Sequence, residues 1–213
     1  MRTGLVALCL ALTAGCTLSS GPAPGSQEGA STLTDGPLPP PGHGTLSQRD
    51  VSITLRSGDL QLMVTPLAPS VLVATAPDTY RRLDALAAPH RARPEAPSLF
   101  LVSFFSDRPE VRFVPEEVQL VSRGMRARPI DILPITPGWG AGRVAQRDTE
   151  TAIYMFDRSV DLESDLVLHY GLEQVSTWAV TLTRIQAERA RARARATGAT
   201  PGHSSSSYFE ILR

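Results

Sequence analysis

The four histidines are the residues best suited to bind a transition metal or to transfer a proton at neutral pH. They stand at positions 43, 90, 169 and 203, and each is isolated from other ligand types. None has the spacing of a zinc site. His169 lies in an apolar stretch beside Tyr170, which is typical of a histidine in or at the rim of a core. The histidines therefore predict no metal site and no metal cofactor.

An acidic run offers the first carboxylates of a calcium-binding loop. The run consists of Asp157, Asp161, Glu163 and Asp165. Such a loop needs a glycine where this chain has Leu166 and a bidentate glutamate where it has Leu172. In an extended segment, alternation would place the last three carboxylates on one wet face. We expect a solvated acidic face here and no calcium site.

The chain lacks the motifs of nucleophilic catalysis. A Gly-x-Ser-x-Gly elbow is missing, Ser-x-x-Lys is impossible without lysine, and the two cysteines stand in the first sixteen residues. Glu116 and Glu117 are adjacent, so on a strand they would point to opposite faces and would not cooperate as acid and base. We predict no catalytic residues. A hydrolase site assembled from residues distant in sequence is the open alternative.

A loop rich in glycine and proline carries a tryptophan. Gly138-Trp139-Gly140-Ala141-Gly142 is flanked by prolines and is followed by no helix start, so it is not expected to cradle a phosphate. Trp139 has two interpretations. It is either an exposed contact for a partner protein or a lid that folds back onto the core.

The first sixteen residues have the pattern of an export signal. Arg2 precedes an apolar run from Gly4 to Ala14, which is shorter than the roughly 20 residues that span a bilayer, and Gly15 and Cys16 follow. This stretch resembles the signal peptide and lipobox of a bacterial lipoprotein precursor. The resemblance implies cleavage between Gly15 and Cys16 and lipidation of Cys16 by diacylglycerol and a fatty acid such as palmitate. The alternative is an ordinary signal peptide that leaves a free Cys16 thiol.

The same resemblance predicts the location of the protein. A lipidated chain would sit in the cell envelope. In a bacterium with two membranes, Thr17 after the cysteine favours the periplasmic face of the outer membrane. Removal of the signal would leave no pair of cysteines for a disulfide. The formal net charge is zero and all 21 basic residues are arginine, so no global field attracts nucleic acid.

Composition divides the chain into four parts. The signal peptide covers residues 1–15. Residues 16–47 are rich in Ser, Thr, Gly and Pro, which predicts a lipid anchor and a disordered linker. Residues 48–186 form the folded domain, and residues 187–213 form a charged tail.

Alternating and apolar stretches predict about eight short strands in the folded domain. Examples are the hairpin from Val51 to Thr65, a third strand at Val71 to Val73, a central strand from Ser98 to Phe105 that is apolar on both faces, and a late strand from Thr177 to Thr183. Period-three spacing predicts one short helix over residues 77–88, which Pro89 ends.

We therefore predict a mainly β fold, an antiparallel immunoglobulin-like β-sandwich with one inserted helix. A partly open barrel is the alternative. The Arg/Ala-rich tail should be helical, because its residues favour helices, but it shows no apolar stripe. We expect the tail to be solvated. The other interpretation is a contact with anionic lipid head groups.

These observations predict a membrane-anchored, non-enzymatic binding or assembly module. Its expected partners are the membrane, through the N-terminal lipid, and other envelope proteins. Neither cofactor nor nucleic acid is expected. The alternative is a lipid-anchored carrier of a small apolar ligand, which would need an apolar cavity inside the domain.

Overall fold

Eleven β-strands and three α-helices lie within the residues that the computed structural model describes, which are 37–92, 97–158 and 160–198. The strands are β1 Ile53–Ser57, β2 Leu60–Pro66, β3 Ser98–Ser106, β4 Val111–Arg112, β5 Val118–Ser122, β6 Met125–Ala127, β7 Asp131–Pro134, β8 Arg143–Val144, β9 Asp148–Phe156, β10 Leu166–Tyr170 and β11 Glu173–Val175. The helices are α1 Pro69–Leu72, α2 Pro77–Arg91 and α3 Trp178–Ala196. Short 3₁₀ turns lie at Arg49–Val51, Pro115–Glu117 and Pro137–Ala141.

The strands form three antiparallel sheets. The largest has the order β1-β2-β3-β9-β7, the second has the order β11-β10-β5-β6, and β4 pairs with β8. The prediction of a mainly β, antiparallel fold is therefore confirmed. Its immunoglobulin-like form stays a prediction.

The first hairpin forms where alternation predicts it. Ile53 pairs with Val64 and Ser57 pairs with Leu60. Gly58 in the turn has φ +57°, a left-handed conformation that glycine adopts without steric cost. The alternating apolar residues Ile53, Leu55, Leu60, Leu62 and Val64 all face the core and are buried.

Strand β3 is central in its sheet, as its apolar residues on both faces predict. Phe100, Val102 and Phe104 face the interior, whereas Leu99 and Leu101 face the side that α2 covers. Helix α2 packs there through Leu83 and Ala87. Because both faces of β3 are covered, the strand needs no polar alternation.

Two local predictions before β3 are wrong. The stretch Val71 to Val73 is not a strand, since α1 begins at Pro69 and buries Leu72 against the α2 side. Proline suits the first position of a helix, where no intrahelical partner for its missing N–H is needed. Pro89 does not end α2 either. The helix runs on to Arg91, whose guanidinium donates to Asp84 within the helix and to the carbonyl of Leu67.

One hydrophobic core lies between the two larger sheets. Inward side chains of β1, β2, β3 and β9 belong to the same buried cluster as those of β5 and β10, and helix α3 adds Trp178 and Ile185. Burial of both sheets in one cluster explains why the domain forms without a disulfide among the described residues.

The strand predicted from Thr177 to Thr183 and the start of the tail at residue 187 are both wrong. A single helix, α3, runs from Trp178 to Ala196 across that boundary. Its buried residues recur every three or four positions, at Trp178, Thr181, Ile185, Glu188, Arg189 and Ala192. The tail is helical as predicted, but it packs on the domain instead of standing in solvent as far as Ala196.

The folded part also begins before residue 48. Leu46 forms a parallel bridge with Thr75, and Gly44 lies against the backbone of Ala74 so closely that a Cβ would stand 2.3 Å from its carbonyl carbon. Residues 43–47 therefore pack on the domain, which corrects the linker boundary at residue 47. The rest of the predicted linker, residues 16–36, lies outside the described residues, as do the signal peptide and the end of the tail, 199–213.

Candidate functional site

Cys16, the predicted lipidation site, lies outside the described residues. Its lipidation stays a prediction from the lipobox pattern. The described residues form the domain that such an anchor would attach to the membrane.

Trp139 is part of the core and not an exposed partner contact. Its side chain is 7% exposed. Its ring centroid lies 5.0 Å from that of Phe113, 5.7 Å from that of Phe104 and 6.1 Å from that of Tyr154. Of the two interpretations of this tryptophan, the lid on the core is confirmed and the partner contact is wrong.

Aromatic side chains occupy the interior beneath that lid. Phe104 stacks on Phe113 with centroids 4.6 Å apart and lies 5.7 Å from Tyr170. The hydroxyl of Tyr154 donates to the carbonyl of Pro115 at 3.0 Å, and burial raises the pKa of Tyr154, with Glu116 adding to the effect. A filled and hydrogen-bonded interior is typical of a structural core.

Surface depressions lie outside this core. One of about 270 Å³ is on the outer face of the largest sheet, between Arg49, Met63 and Phe105. Another of about 370 Å³ lies before and along β7, between Glu116, Arg128 and Ile130. The first is lined by Arg49 and by uncharged polar and apolar residues of the sheet, and the second by Glu116, Arg128 and Asp131 beside isoleucines. Both lie on the surface, whereas a carrier for apolar ligands needs an apolar cavity inside the domain.

Among the described residues, the histidines and the carboxylates of the acidic run do not come together in a metal site. Across the described part of the chain, no three His, Cys, Asp or Glu side chains are placed to hold a metal ion. Burial lowers the pKa of His169, and Arg126 nearby lowers it further. Asp161 accepts the N–H of Glu163 at 2.9 Å and the guanidinium of Arg123, and this backbone hydrogen bond, with Arg123, holds its pKa below the usual range. Asp161 thus stabilises the loop between β9 and β10, and Glu163 pairs with Arg189 of α3. His203 lies outside the described residues.

Glu116 and Glu117 lie in the 3₁₀ turn before β5, so the argument from opposite faces of a strand does not apply to them. Both are exposed. Val114, which precedes the turn, is 45% exposed and its N–H donates to the hydroxyl of Tyr170 at 2.9 Å. Leu172, on the turn after Tyr170, is fully exposed. We call Val114, Glu116, Glu117 and Leu172 the distal end.

The opposite end of the same sheet carries helix α3. Val118 pairs with Tyr170 at the distal end, and Ser122 pairs with Leu166 at the other end of β5 and β10. There the hydroxyl of Ser122 accepts the N–H of Asp161 at 3.0 Å. The loop that contains Asp161 then contacts α3, because the indole N–H of Trp178 donates to the carbonyl of Leu162 at 2.9 Å.

Helix α3 also holds the N-terminal segment. The hydroxyl of Thr45 donates to Glu188 at 2.8 Å, and the guanidinium of Arg195 donates to the carbonyl of His43 at 2.6 and 2.8 Å and to Glu188. We call His43, Thr45, Glu188 and Arg195 the N-segment interface. Sequence reasoning missed it, although an acidic residue among five arginines was a usable signal.

No family model matches the chain, and no curated protein matches it. Among solved structures it is similar to MPT63, a secreted protein from Mycobacterium tuberculosis, with 12% identity over 62% of this chain and 94% of that one and a TM-score of 0.31. A likeness of that extent says nothing about the function of this chain.

Among the described helices, none is both long and apolar enough to cross a membrane.

Proposed function

We propose that this chain is a membrane-anchored lipoprotein of the bacterial cell envelope and acts as a non-enzymatic binding or assembly module. The lipobox pattern that ends at Cys16 supports the anchor. Thr17 supports the periplasmic face of the outer membrane where the source has two membranes. The folded part is proposed to be an immunoglobulin-like β-sandwich, which the shared core of its two larger sheets supports.

One observation carries the proposal, the separation of the two ends of the domain. The N-segment interface joins the chain that leads back to Cys16 to helix α3. The distal end lies at the other end of β5 and β10. An anchored domain would therefore turn the distal end away from the bilayer, where another envelope protein can reach it.

The chemistry of the distal end indicates its partner. Val114 and Leu172 supply exposed apolar surface, and Glu116 and Glu117 supply two exposed carboxylates next to it. A protein surface with an apolar centre and basic residues at its rim complements this arrangement.

The alternative function, a carrier of a small apolar ligand, has less support. A ligand between the sheets would need a cavity of roughly 300 Å³ or more. Aromatic rings pack in that space instead: Phe104 stacks on Phe113, and Trp139 meets Phe113 and Tyr154 edge to face. The filled core favours a module that binds through its surface.

Chemical cross-linking in intact cells tests the partner contact. The full chain carrying Leu172→Glu should lose the cross-linked protein that the unchanged chain captures, because a charge replaces the exposed apolar centre of the distal end. Met125→Glu is the matched control, since Met125 is 55% exposed on β6 of the same sheet, beside Ser122. It should keep the cross-link. Equal loss in both variants, or no loss in either, contradicts the proposed contact surface.

A further inference from the structure

The arginines of α3 are sorted by the fold onto different faces of the helix. The helix carries five arginines and one glutamate. Arg189 is 5% exposed and its guanidinium pairs with Glu163 at 3.2 Å. Arg184, Arg191 and Arg195 lie at positions i, i+7 and i+11, which share one side of an α-helix. Their side chains are 48%, 68% and 40% exposed. We call these three residues the arginine stripe.

The stripe is held in place by contacts with the chain before β1 and with Glu188 of the same helix. Arg184 pairs with Asp50 at 3.4 Å, and Arg195 bonds the carbonyl of His43. Glu188 lies between them, is 2% exposed, and accepts from Arg195 and, at 3.5 Å, from Arg191. The guanidinium groups are therefore ordered along one side of the helix before any partner binds.

A lipid at Cys16 would bring the stripe near the bilayer. Residues 17–36 separate Cys16 from the first described residue, Pro37. A segment of that length reaches about 66 Å when fully extended and spans about 25 Å as a flexible coil. The described chain continues from Pro37 to the N-segment interface at His43. The lipid would therefore hold the stripe within a few tens of ångströms of the head groups when the segment is coiled. Tethering at such a distance raises the effective concentration of the second contact.

We propose that the arginine stripe binds the phosphate groups of anionic lipids and sets the domain with α3 against the membrane surface. This inference rests on the proposed lipid anchor and adds a second, electrostatic contact to it. Guanidinium groups bind phosphate oxygens through two parallel N–H donors. Anionic head groups attract basic segments over about 10 Å. With α3 at the bilayer, the distal end faces outward.

Vesicle sedimentation tests the stripe without the anchor. The full mature chain is prepared with Cys16→Ser, so that no lipid is attached. It should sediment with vesicles that contain phosphatidylglycerol and should remain in solution with vesicles of phosphatidylcholine alone. Raising the salt concentration should release it, because screening weakens the contact.

Variants then assign the binding to the stripe. Arg191→Gln should weaken binding about fivefold, the effect of one cationic side chain near an anionic surface, whereas Arg191→Lys should retain most of it. Arg112→Gln is the matched control, because it removes the same charge from an exposed position outside α3, on strand β4. The Arg112→Gln chain should bind the vesicles as strongly as the chain with an unchanged stripe.

Equal binding by Arg191→Gln and Arg112→Gln would overturn the proposal, as would equal sedimentation with both kinds of vesicle. Arg191 is the most exposed member of the stripe and its pairing with Glu188 is long, at 3.5 Å, so its replacement should lower the thermal midpoint only slightly. A circular dichroism melt checks that each variant is folded in the binding assay. The outcome is independent of the cross-linking experiment, which measures a protein contact at the other end of the sheet. Failure of one therefore does not imply failure of the other.

Discussion

Glu188 is a buried carboxylate on which the N-segment interface depends. Burial alone would raise its pKa, but the hydrogen bonds from Thr45 and Arg195, together with the charge of Arg195, outweigh burial and hold the pKa below its ordinary value of 4.5. The ionised form is therefore the one that the fold stabilises. Its contribution is fully present above the unfolded pKa and is lost as pH falls through the lower, folded pKa.

Replacing Glu188 by glutamine should destabilise the domain by about 1–3 kcal/mol at neutral pH, because Arg195 and Thr45 lose a charged acceptor in a buried place. Urea unfolding measures this. The difference between Glu188→Gln and the unchanged chain should shrink progressively as the pH falls below 4.5 and should vanish below the lower, folded pKa, where the carboxylate is protonated in both folded and unfolded chains. A difference that stays constant with pH would show that the charge of Glu188 is not what matters.

Trp139 and Arg189 show how little a residue type says about exposure. The glycine and proline around Trp139 predict a surface loop, and the loop is one, yet the indole turns inward to 7% exposure. Arg189 lies in a run of arginines that spreads around the helix in sequence, yet it is as buried as a core residue and pairs with Glu163. Both side chains take their environment from residues far away in the chain.

At the scale of elements, the N-terminal half of α3 is difficult to recognise as a helix from its sequence. Trp178, Thr181 and Ile185 are buried at helical spacing, but the β-branched and aromatic residues from Thr177 to Thr183 also fit a strand. Dividing the helix at residue 187 leaves the second half without an apolar stripe. Only the whole element shows that alanine continues the buried face, at Ala192.

Two neighbouring alanines test that face. Ala192 is fully buried and Ala190 is exposed. Ala192→Glu should destabilise the domain by about 3 kcal/mol or more, because it buries a charge. Ala190→Glu should change stability by less than about 0.5 kcal/mol, as surface substitutions do. Denaturant unfolding compares them, and equal effects would mean that α3 does not pack as described.

Strand β7 is an edge whose outward backbone donors are blocked. The N–H of Ile135 donates to the carbonyl of Thr151 on β9 at 2.9 Å. Because backbone donors alternate along a strand, the backbone nitrogens of Ile132 and Pro134 point away from β9. The N–H of Ile132 donates to the carboxylate of Asp131 at 2.9 Å, and proline has no N–H. This protection disfavours strand addition at β7. It is consistent with a partner contact at the distal end instead.

At the scale of the whole molecule, the described N-terminal segment and the arginine stripe lie together, apart from the distal end. His43 and Thr45 contact the basic side of α3, and the exposed Val114 and Leu172 lie at the other end of the second sheet. A domain oriented in this way would present one constant surface to its partners, whatever the length of the linker.

Cys16→Ser in the full chain should move the protein from the membrane fraction to the soluble fraction of lysed cells, because the arginine stripe alone gives only a salt-sensitive contact. Fractionation at high salt, followed by immunoblotting, measures the partition. Cys9→Ser is the matched control in the same apolar run and should leave the protein at the membrane. Unchanged partition of Cys16→Ser at high salt would contradict the lipid anchor.

The sequence by itself determined the local features. Alternation identified the hairpin around Gly58, apolar residues on both faces identified β3 as central, and period-three spacing identified α2. These patterns depend on residues close in the chain, whose periodicity follows directly from backbone geometry. The resemblance at Cys16 is equally local, although its consequence is still a prediction.

The tertiary structure decided what these elements bury. It turned Trp139 inward, joined residues 177–196 into one packed helix and placed residues 43–47 against it. Each outcome depends on partners distant in sequence, such as Phe104 for Trp139 and Glu188 for Thr45. Burial and pairing depend on the whole arrangement of sheets and helix. Where tertiary contacts and local secondary-structure propensity favour different structures, the tertiary contacts decide.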